Sequence, residues 1–311
     1  MPRYTLKVAG SYALMATRGC PYSCSYCINN FTNQLYNKQK RKNIVRRRSV
    51  ENIIAELIGI RKRFPSLSSV FFTDDLFIFG EDSDAWLEDF SRQYKEKISL
   101  PFMCSMHFSQ INDRVMDLLV KAGLVQLSIG IESGSERTLK NLYQRNLMPK
   151  AILNKAEIVN RYKKYVVPSY DIILDNPYES DDDLRQTLEL ILKLSEPFHL
   201  GLYSLTLFPG IPLYQRAKSE GLLTDELNQV YRKHYNDIDT GKYINQLFLL
   251  YGSIPKKMIT YFLRRHDSIH KFILFLSYCI WYLRHLIVRN RLYFCLKKVP
   301  QKWFLKGDQF I

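Results

Sequence analysis

Short β-rich runs alternate with longer amphipathic stretches through the first two thirds of the chain, a pattern that predicts parallel strands joined by crossover helices. Residues 11–17 read as a first strand that ends at a cysteine-rich loop. Ser49 is placed to cap the next helix, with Glu51 in its first turn and Ile53, Ile54, Leu57, Ile58 and Ile60 on its apolar face. Residues 69–73, 102–106, 124–131, 166–174 and 200–207 supply five more strands. Helices are expected at 82–97, 111–122, 181–194 and 214–220, together with a helical region over 135–164 broken near Pro149. Gly123 stops the helix before it, and Ser180 with Asp183 forms a capping box. Six strand-helix units predict an α/β fold, a partial TIM-like (β/α)6 barrel, in which reacting groups gather at the C-terminal ends of the strands.

Composition changes this picture mainly at the C-terminus. The chain has 311 residues, 46% hydrophobic and 24% charged, as expected of a folded protein. Its net charge of +15 is uneven, because residues 241–311 hold thirteen Lys and Arg against Asp267 and Asp308. A barrel over residues 1–222 and a helical C-terminal extension over 223–311 are therefore expected as separate domains. Residues 272–283 are almost continuously apolar yet shorter than the roughly 20 residues a membrane span needs. Tyr261, Phe262, Phe275, Tyr278, Trp281, Tyr282, Tyr293, Phe294, Trp303 and Phe304 are interleaved with basic side chains. That mixture suits an anionic membrane surface, a cover for the open side of the barrel, or RNA, in that order of expectation. A second basic run, from Lys38 to Arg48, reads first as a solvated face. No apolar segment precedes Arg18, so a cytoplasmic protein is expected, with contact to the inner face of the membrane through the extension.

The chemistry is concentrated in Cys20, Cys24 and Cys27. Their spacing lets one tight loop offer three thiolates to an iron-sulfur cube and leaves the fourth iron without a protein ligand. A zinc knuckle or redox dithiol would use the same residue type, but zinc wants a fourth ligand close by. Cys104, Cys279 and Cys295 are distant in sequence, and the nearest histidine is His107.

The loop Arg18-Gly19-Cys20-Pro21-Tyr22-Ser23-Cys24-Ser25-Tyr26-Cys27 resembles the radical S-adenosylmethionine superfamily, and its opening resembles the cobalamin-type branch. The likeness spans about residues 11–222. It implies a [4Fe-4S] cluster whose open iron is chelated by S-adenosylmethionine, one-electron cleavage to a 5'-deoxyadenosyl radical, and abstraction of hydrogen from unactivated carbon. A reductant such as flavodoxin or ferredoxin goes with that chemistry.

Further motifs follow the strands in the order the resemblance implies. Asp74 and Asp75 after the second strand are similar to the branch's Asp-Asp-x-Phe segment, implied to meet the methionyl amino group; an acidic helix cap is the plainer use. Gly130-Ile131-Glu132-Ser133-Gly134 looks like the family's ribose motif, although Ser133 or Ser135 could serve simply as a helix cap. Tyr26 is implied to offer a backbone contact to adenine, and Ile173 to pack against it. Asp171 and Asp175 stand where glycines are common, which departs from the pattern. Pro209-Gly210-Ile211-Pro212-Leu213 resembles the closing turn. Cys104 on the third strand reads as a small core residue or, less readily, a lumen group.

Cobalamin-type members carry a cobalamin domain ahead of the cysteine loop, and 19 residues precede Cys20 here. Bound cobalamin is therefore not expected, and a corrinoid is possible only in trans. The reading is an enzyme of C–H functionalisation (methylation, rearrangement or C–C bond formation) acting on a small-molecule or lipid-like substrate. The alternatives are an RNA-modifying relative, disfavoured because no second cysteine cluster or RNA-binding appendage is visible, and a non-catalytic S-adenosylmethionine-binding subunit of a split cobalamin-dependent complex.

Overall fold

The computed structural model describes residues 10–38, 45–79, 83–265, 271, 272, 274–276 and 279. Lys40, Arg41 and Lys42 of the basic run, Cys295, and most of the aromatic tail lie outside the described residues. Two compact units are present, residues 1–238 and 239–311.

The first unit is an α/β partial barrel. In chain order it comprises β1 (Ser11–Leu14), β2 (Thr17–Arg18), α1 (Ile28–Lys38), β3 (Arg46–Arg47), α2 (Val50–Arg63), β4 (Ser69–Phe72), α3 (Ser83–Lys97), β5 (Phe102–Met106), α4 (Asp113–Ala122), β6 (Leu124–Glu132), α5 (Pro149–Asn160), β7 (Val167–Leu174), α6 (Asp181–Lys193), β8 (His199–Ser204) and α7 (Pro212–Ser219). Six parallel strands form the main sheet in the order β1-β4-β5-β6-β7-β8. The monotonic order follows from each helix crossing over to the next strand on the same side. The sequence pattern locates all six strands. It does not foresee α1, or the small antiparallel pair β2–β3 that braces the cysteine loop. The helical region at 135–164 is a π-turn (Thr138–Leu142), a loop, and then α5 with Pro149 in its first turn.

Local chemistry explains the boundaries. Ser49 accepts from the Asn52 amide at the start of α2, a cap worth about 1 kcal/mol. The Ser180–Asp183 capping box opens α6, and Gly123 closes α4 in a left-handed turn. Packed outside the sheet are Phe72, Phe77, Phe90, Tyr94 and Phe102, all buried and edge-on or tilted to one another.

From Gln126 onward β6 alternates strictly. On β6, Leu127, Ile129 and Ile131 are buried, whereas Gln126, Ser128, Gly130 and Glu132 are only partly covered and face the lumen. Ser128 and Ser169 are register partners, as are Gly130 and Asp171, so β7 continues the lumen face. Cys104 pairs in register with Leu127 and is 1% exposed. It belongs to the core facing the helices and not to the lumen.

The second unit contains α8 (Tyr243–Leu250) and α9 (Lys256–Arg264). Among the described residues, no helix is long and apolar enough to cross a membrane.

Candidate active site

The cysteine loop leaves the sheet at the C-terminal end of β1, and its conformation is held from several directions. Gly19 adopts φ +91°, a value that favours glycine, immediately before Cys20. Asn33 on α1 donates to the Cys20 carbonyl at 2.8 Å, and Asn30 to the Ser23 carbonyl at 2.7 Å. The Ser25 amide donates to the Tyr143 carbonyl at 3.1 Å, its hydroxyl to the Leu142 carbonyl, and its carbonyl accepts from Leu213 at 3.1 Å. On the other side the Tyr22 hydroxyl meets Ser109, and its ring lies 4.4 Å from that of His107. The loop is thus pinned to α1, the turn after β6, the turn before α7 and the end of β5.

The loop presents three free thiols, Cys24 buried and Cys20 and Cys27 half-buried. Burial pushes the Cys20 thiol up to about 12, and the charges of Cys27, Cys24 and Asp75 push the same way. Cys24 and Cys27 are also raised, again chiefly by burial. Three mutually repelling thiolates in such a place need cationic compensation, which iron supplies. Among the described residues, no three His, Cys, Asp or Glu side chains converge on a single ion. A donor set of three thiols spread along one loop fits a polynuclear cluster with an open iron.

Beside the loop lies a buried network that begins at the end of β6. Glu132 adopts φ +68° and follows a register shift between β6 and β7, so its side chain folds back over Gly130. A Cβ on residue 130 would sit 2.0 Å from Glu132 Oε1, so any larger residue there would displace the Glu132 carboxylate from this position. Arg145 Nη1 approaches Glu132 Oε1 at 3.6 Å and donates to the Tyr26 hydroxyl at 2.9 Å, while Nη2 donates to the Gly130 carbonyl at 2.6 Å. Burial lifts the Glu132 carboxyl to about 7, with Asp171 adding to the rise and Arg145 opposing it. Arg145 Nε is buried without a hydrogen-bond partner. A buried orphan donor beside a lumen carboxyl is what a polar ligand would satisfy.

The remaining motif residues divide by environment. Asp75 is exposed and close enough to act on Cys20 and Cys27. Asp74 is 3% exposed and turned back onto β2, where its Oδ1 accepts from the Thr17 amide and, at 2.8 Å, from the Thr17 hydroxyl. Its Oδ2 is buried without a partner. Ser133 is fully buried and occupied, donating to Glu179 at 3.0 Å and lying 3.1 Å from the Thr187 hydroxyl. Ser135 bonds Asp183 at 2.6 Å and receives the Thr138 amide at 3.3 Å. Ile173 is 9% exposed and packs with Leu142 and Tyr143, with Tyr26 against the same cluster. Asp171 faces the lumen, where Ser128 donates to it at 2.7 Å.

Two participants carry no sequence signal. Arg145 lies in the loop after the π-turn, next to Gln144 at φ +54°, outside any strand end or motif. His107 caps the short 3-10 turn Phe108–Gln110, and burial drives its imidazole down to about 3.

The model of the Radical SAM superfamily matches residues 14–191. An uncharacterized methyltransferase of Pyrococcus horikoshii is 22% identical over 267 residues, covering 83% of this chain and 55% of its own. The hopanoid C-2 methylase of Rhodopseudomonas palustris is 25% identical over 244 residues, covering 74% of this chain and 42% of its own. The chain therefore spans about half the length of the curated relatives it matches. In three dimensions the cobalamin-dependent S-adenosylmethionine radical enzyme OxsB superposes with a TM-score of 0.56 at 14% identity, over 96% of this chain and 51% of OxsB, a likeness of fold.

Proposed function

The chain belongs to the radical S-adenosylmethionine superfamily, and from that premise we propose that it is a methyltransferase-like radical S-adenosylmethionine enzyme acting on a C–H bond of a small-molecule substrate. The observation that carries this reading is the meeting, at one mouth of the barrel, of a three-thiol loop and the Tyr26–Arg145–Glu132 network. Cys20, Cys24 and Cys27 would hold the [4Fe-4S] cluster. Asp75 and Glu132 are the groups for the methionyl ammonium and ribose hydroxyls, and Tyr26 and Ile173 those for the adenine. Asp74 and Ser133 act from behind, Asp74 by fixing Thr17 at the base of the loop and Ser133 by fixing Glu179.

When bound, the cluster and S-adenosylmethionine supply the radical that opens an inert C–H bond. The chain's part is to orient and to exclude water. Arg145 holds the Tyr26 hydroxyl and the Gly130 carbonyl in place, while Glu132, with its pKa near neutrality, accepts or releases a proton at little cost. Methyl transfer is favoured because the relatives named above include methyltransferases. Electrons would then be provided by a flavodoxin or ferredoxin.

The described part of the second unit supports a peripheral membrane contact and a lipid-like substrate. On α9, Ile259, Phe262 and Leu263 are buried, while Met258 and Tyr261 are exposed beside exposed Lys257 and Arg264. Co-sedimentation with anionic but not neutral vesicles is expected; equal sedimentation with both sinks that contact.

The enzyme reading is tested by anaerobic reconstitution of the full chain with iron and sulfide, followed by S-adenosylmethionine and dithionite. Release of 5'-deoxyadenosine is expected from the wild type, and neither iron retention nor product from Cys24→Ala. A wild-type chain that binds its cluster and yields no 5'-deoxyadenosine would instead be a silent subunit.

A further inference from the structure

β1, the end strand of the main sheet, borders a cavity of about 580 Å³ that no part of the reading above uses. Its lining includes Ala13, Met15 and Thr73 together with Arg18, Arg46, Arg47 and Arg48, and Glu56 is the acid among these residues. Two of the arginines are committed. Arg48 pairs with Glu56 at 2.5 Å and also bonds Asn52 and the Met15 carbonyl. Arg47 donates to the Phe79 carbonyl at 2.8 Å and lies over the Trp86 ring.

Arg18 and Arg46 are different. They are direct register partners in the antiparallel pair β2–β3, so both side chains leave the same face of a two-residue ribbon. Both are exposed, and neither has an acidic partner among the described residues. Cross-strand partners stand about 5 Å apart at Cβ, a spacing at which like charges destabilise the ladder. An anion between them turns that repulsion into a clamp, because guanidinium forks match the oxygens of phosphate. All four residues of the ribbon line the cavity: the Thr17 hydroxyl and the Arg47 guanidinium are engaged by protein partners, while the Arg18 and Arg46 guanidiniums have no acidic partner among the described residues.

We infer that Arg18 and Arg46 form a phosphate-recognition site, and that the ligand is a small molecule whose phosphate or diphosphate is carried on an apolar body. The volume lies in the range of small-molecule sites and exceeds the need of a lone phosphate, and Ala13 and Met15 in the lining suit apolar carbon. Arg18 stands two residues before Cys20, so a ligand clamped there is delivered next to the cysteine loop. That the ligand is the substrate rests on the enzyme reading; that the site binds phosphate does not.

The probe is inorganic pyrophosphate, titrated calorimetrically into the full chain without iron or S-adenosylmethionine. Wild type is expected to bind it more tightly than orthophosphate, and Arg18→Ala or Arg46→Ala to weaken it at least about tenfold. Arg46→Lys is expected to recover part of the loss, and Arg232→Ala, remote from this cavity, none of it to be lost. Arg46 is exposed, so its variants test the site even if Arg18→Ala fails to fold. Undiminished binding in both alanine variants overturns the site. So does retention by phosphatidic-acid vesicles without binding of soluble pyrophosphate, which would make the patch a lipid surface, or retention only by an acidic flavodoxin. Pyrophosphate binding in a chain that yields no 5'-deoxyadenosine leaves the site standing and removes the enzyme reading.

Discussion

Asp74 and Glu132 are carboxylates at the ends of two strands of one sheet, β4 and β6, and the barrel uses them in opposite ways. Asp74 turns away from the mouth and binds the strand that feeds the cysteine loop, through the amide and hydroxyl of Thr17. Glu132 turns over the mouth, held above Gly130 by a left-handed backbone and faced by Arg145. Both are raised by burial, yet only Glu132 has a guanidinium opposite. A motif specifies a carboxylate at a strand end; the neighbour that fills its hydrogen bonds decides whether it serves the fold or the ligand.

The largest way to break this contrast is to remove each carboxyl in turn. Asp74→Ala leaves the buried Thr17 amide without its acceptor, while the hydroxyl keeps the Leu76 carbonyl, and is expected to cost about 2 kcal/mol in urea unfolding of the apo chain. Glu132→Gln keeps the shape and leaves Arg145 bonded to Tyr26 and Gly130, so its cost is expected to stay within about 1 kcal/mol. Equal losses would mean that both carboxyls are structural.

Ligand binding is expected to reverse the order. In the reconstituted chain, Glu132→Gln should weaken S-adenosylmethionine about tenfold, the worth of one hydrogen bond to a charged group. Asp74→Ala, measured where it is folded, should stay close to wild type. If Asp74→Ala loses affinity while Glu132→Gln retains it, the roles assigned to the two groups are exchanged.

The same contrast shows what could be read from residues alone. Strand positions followed from β-rich runs between caps, and Ser49, Ser180 and Gly123 marked helix boundaries because capping is local chemistry. The cysteine loop was legible because its spacing is contained in eight residues. Arg145 was not, since its partners Tyr26 and Gly130 are separated from it by 119 and 15 residues and meet only when the loop closes. Nor was the fate of Ser133, whose partners Glu179 and Thr187 come from the next strand end and helix. Arg46 appeared only as part of a basic run, and Arg18 only as the opening residue of the cysteine-loop motif, until the β2–β3 register set them side by side.

The contrast also extends to the pH dependence of stability, where Glu132 can be set against His107 on the other flank of the loop. Glu132 is held at about 7, above its unfolded range. The folded chain therefore binds the extra proton, and this contribution is full below about 4.5 and lost as pH rises through 7. His107 is held near 3, below its unfolded value, so its contribution is full above about 6.5 and is lost as pH falls. Between pH 4.5 and 6.5 the two slopes oppose each other, each bounded by about 1.4 kcal/mol per pH unit. Glu132→Gln should consequently gain on wild type as pH is raised from 5 to 7.5, and His107→Gln should gain as pH is lowered from 6.5 to 4.5. Unfolding curves that stay parallel to wild type across both windows would mean that these groups titrate alike in the folded and unfolded chain, and that the mouth of the barrel is wetter than its packing implies.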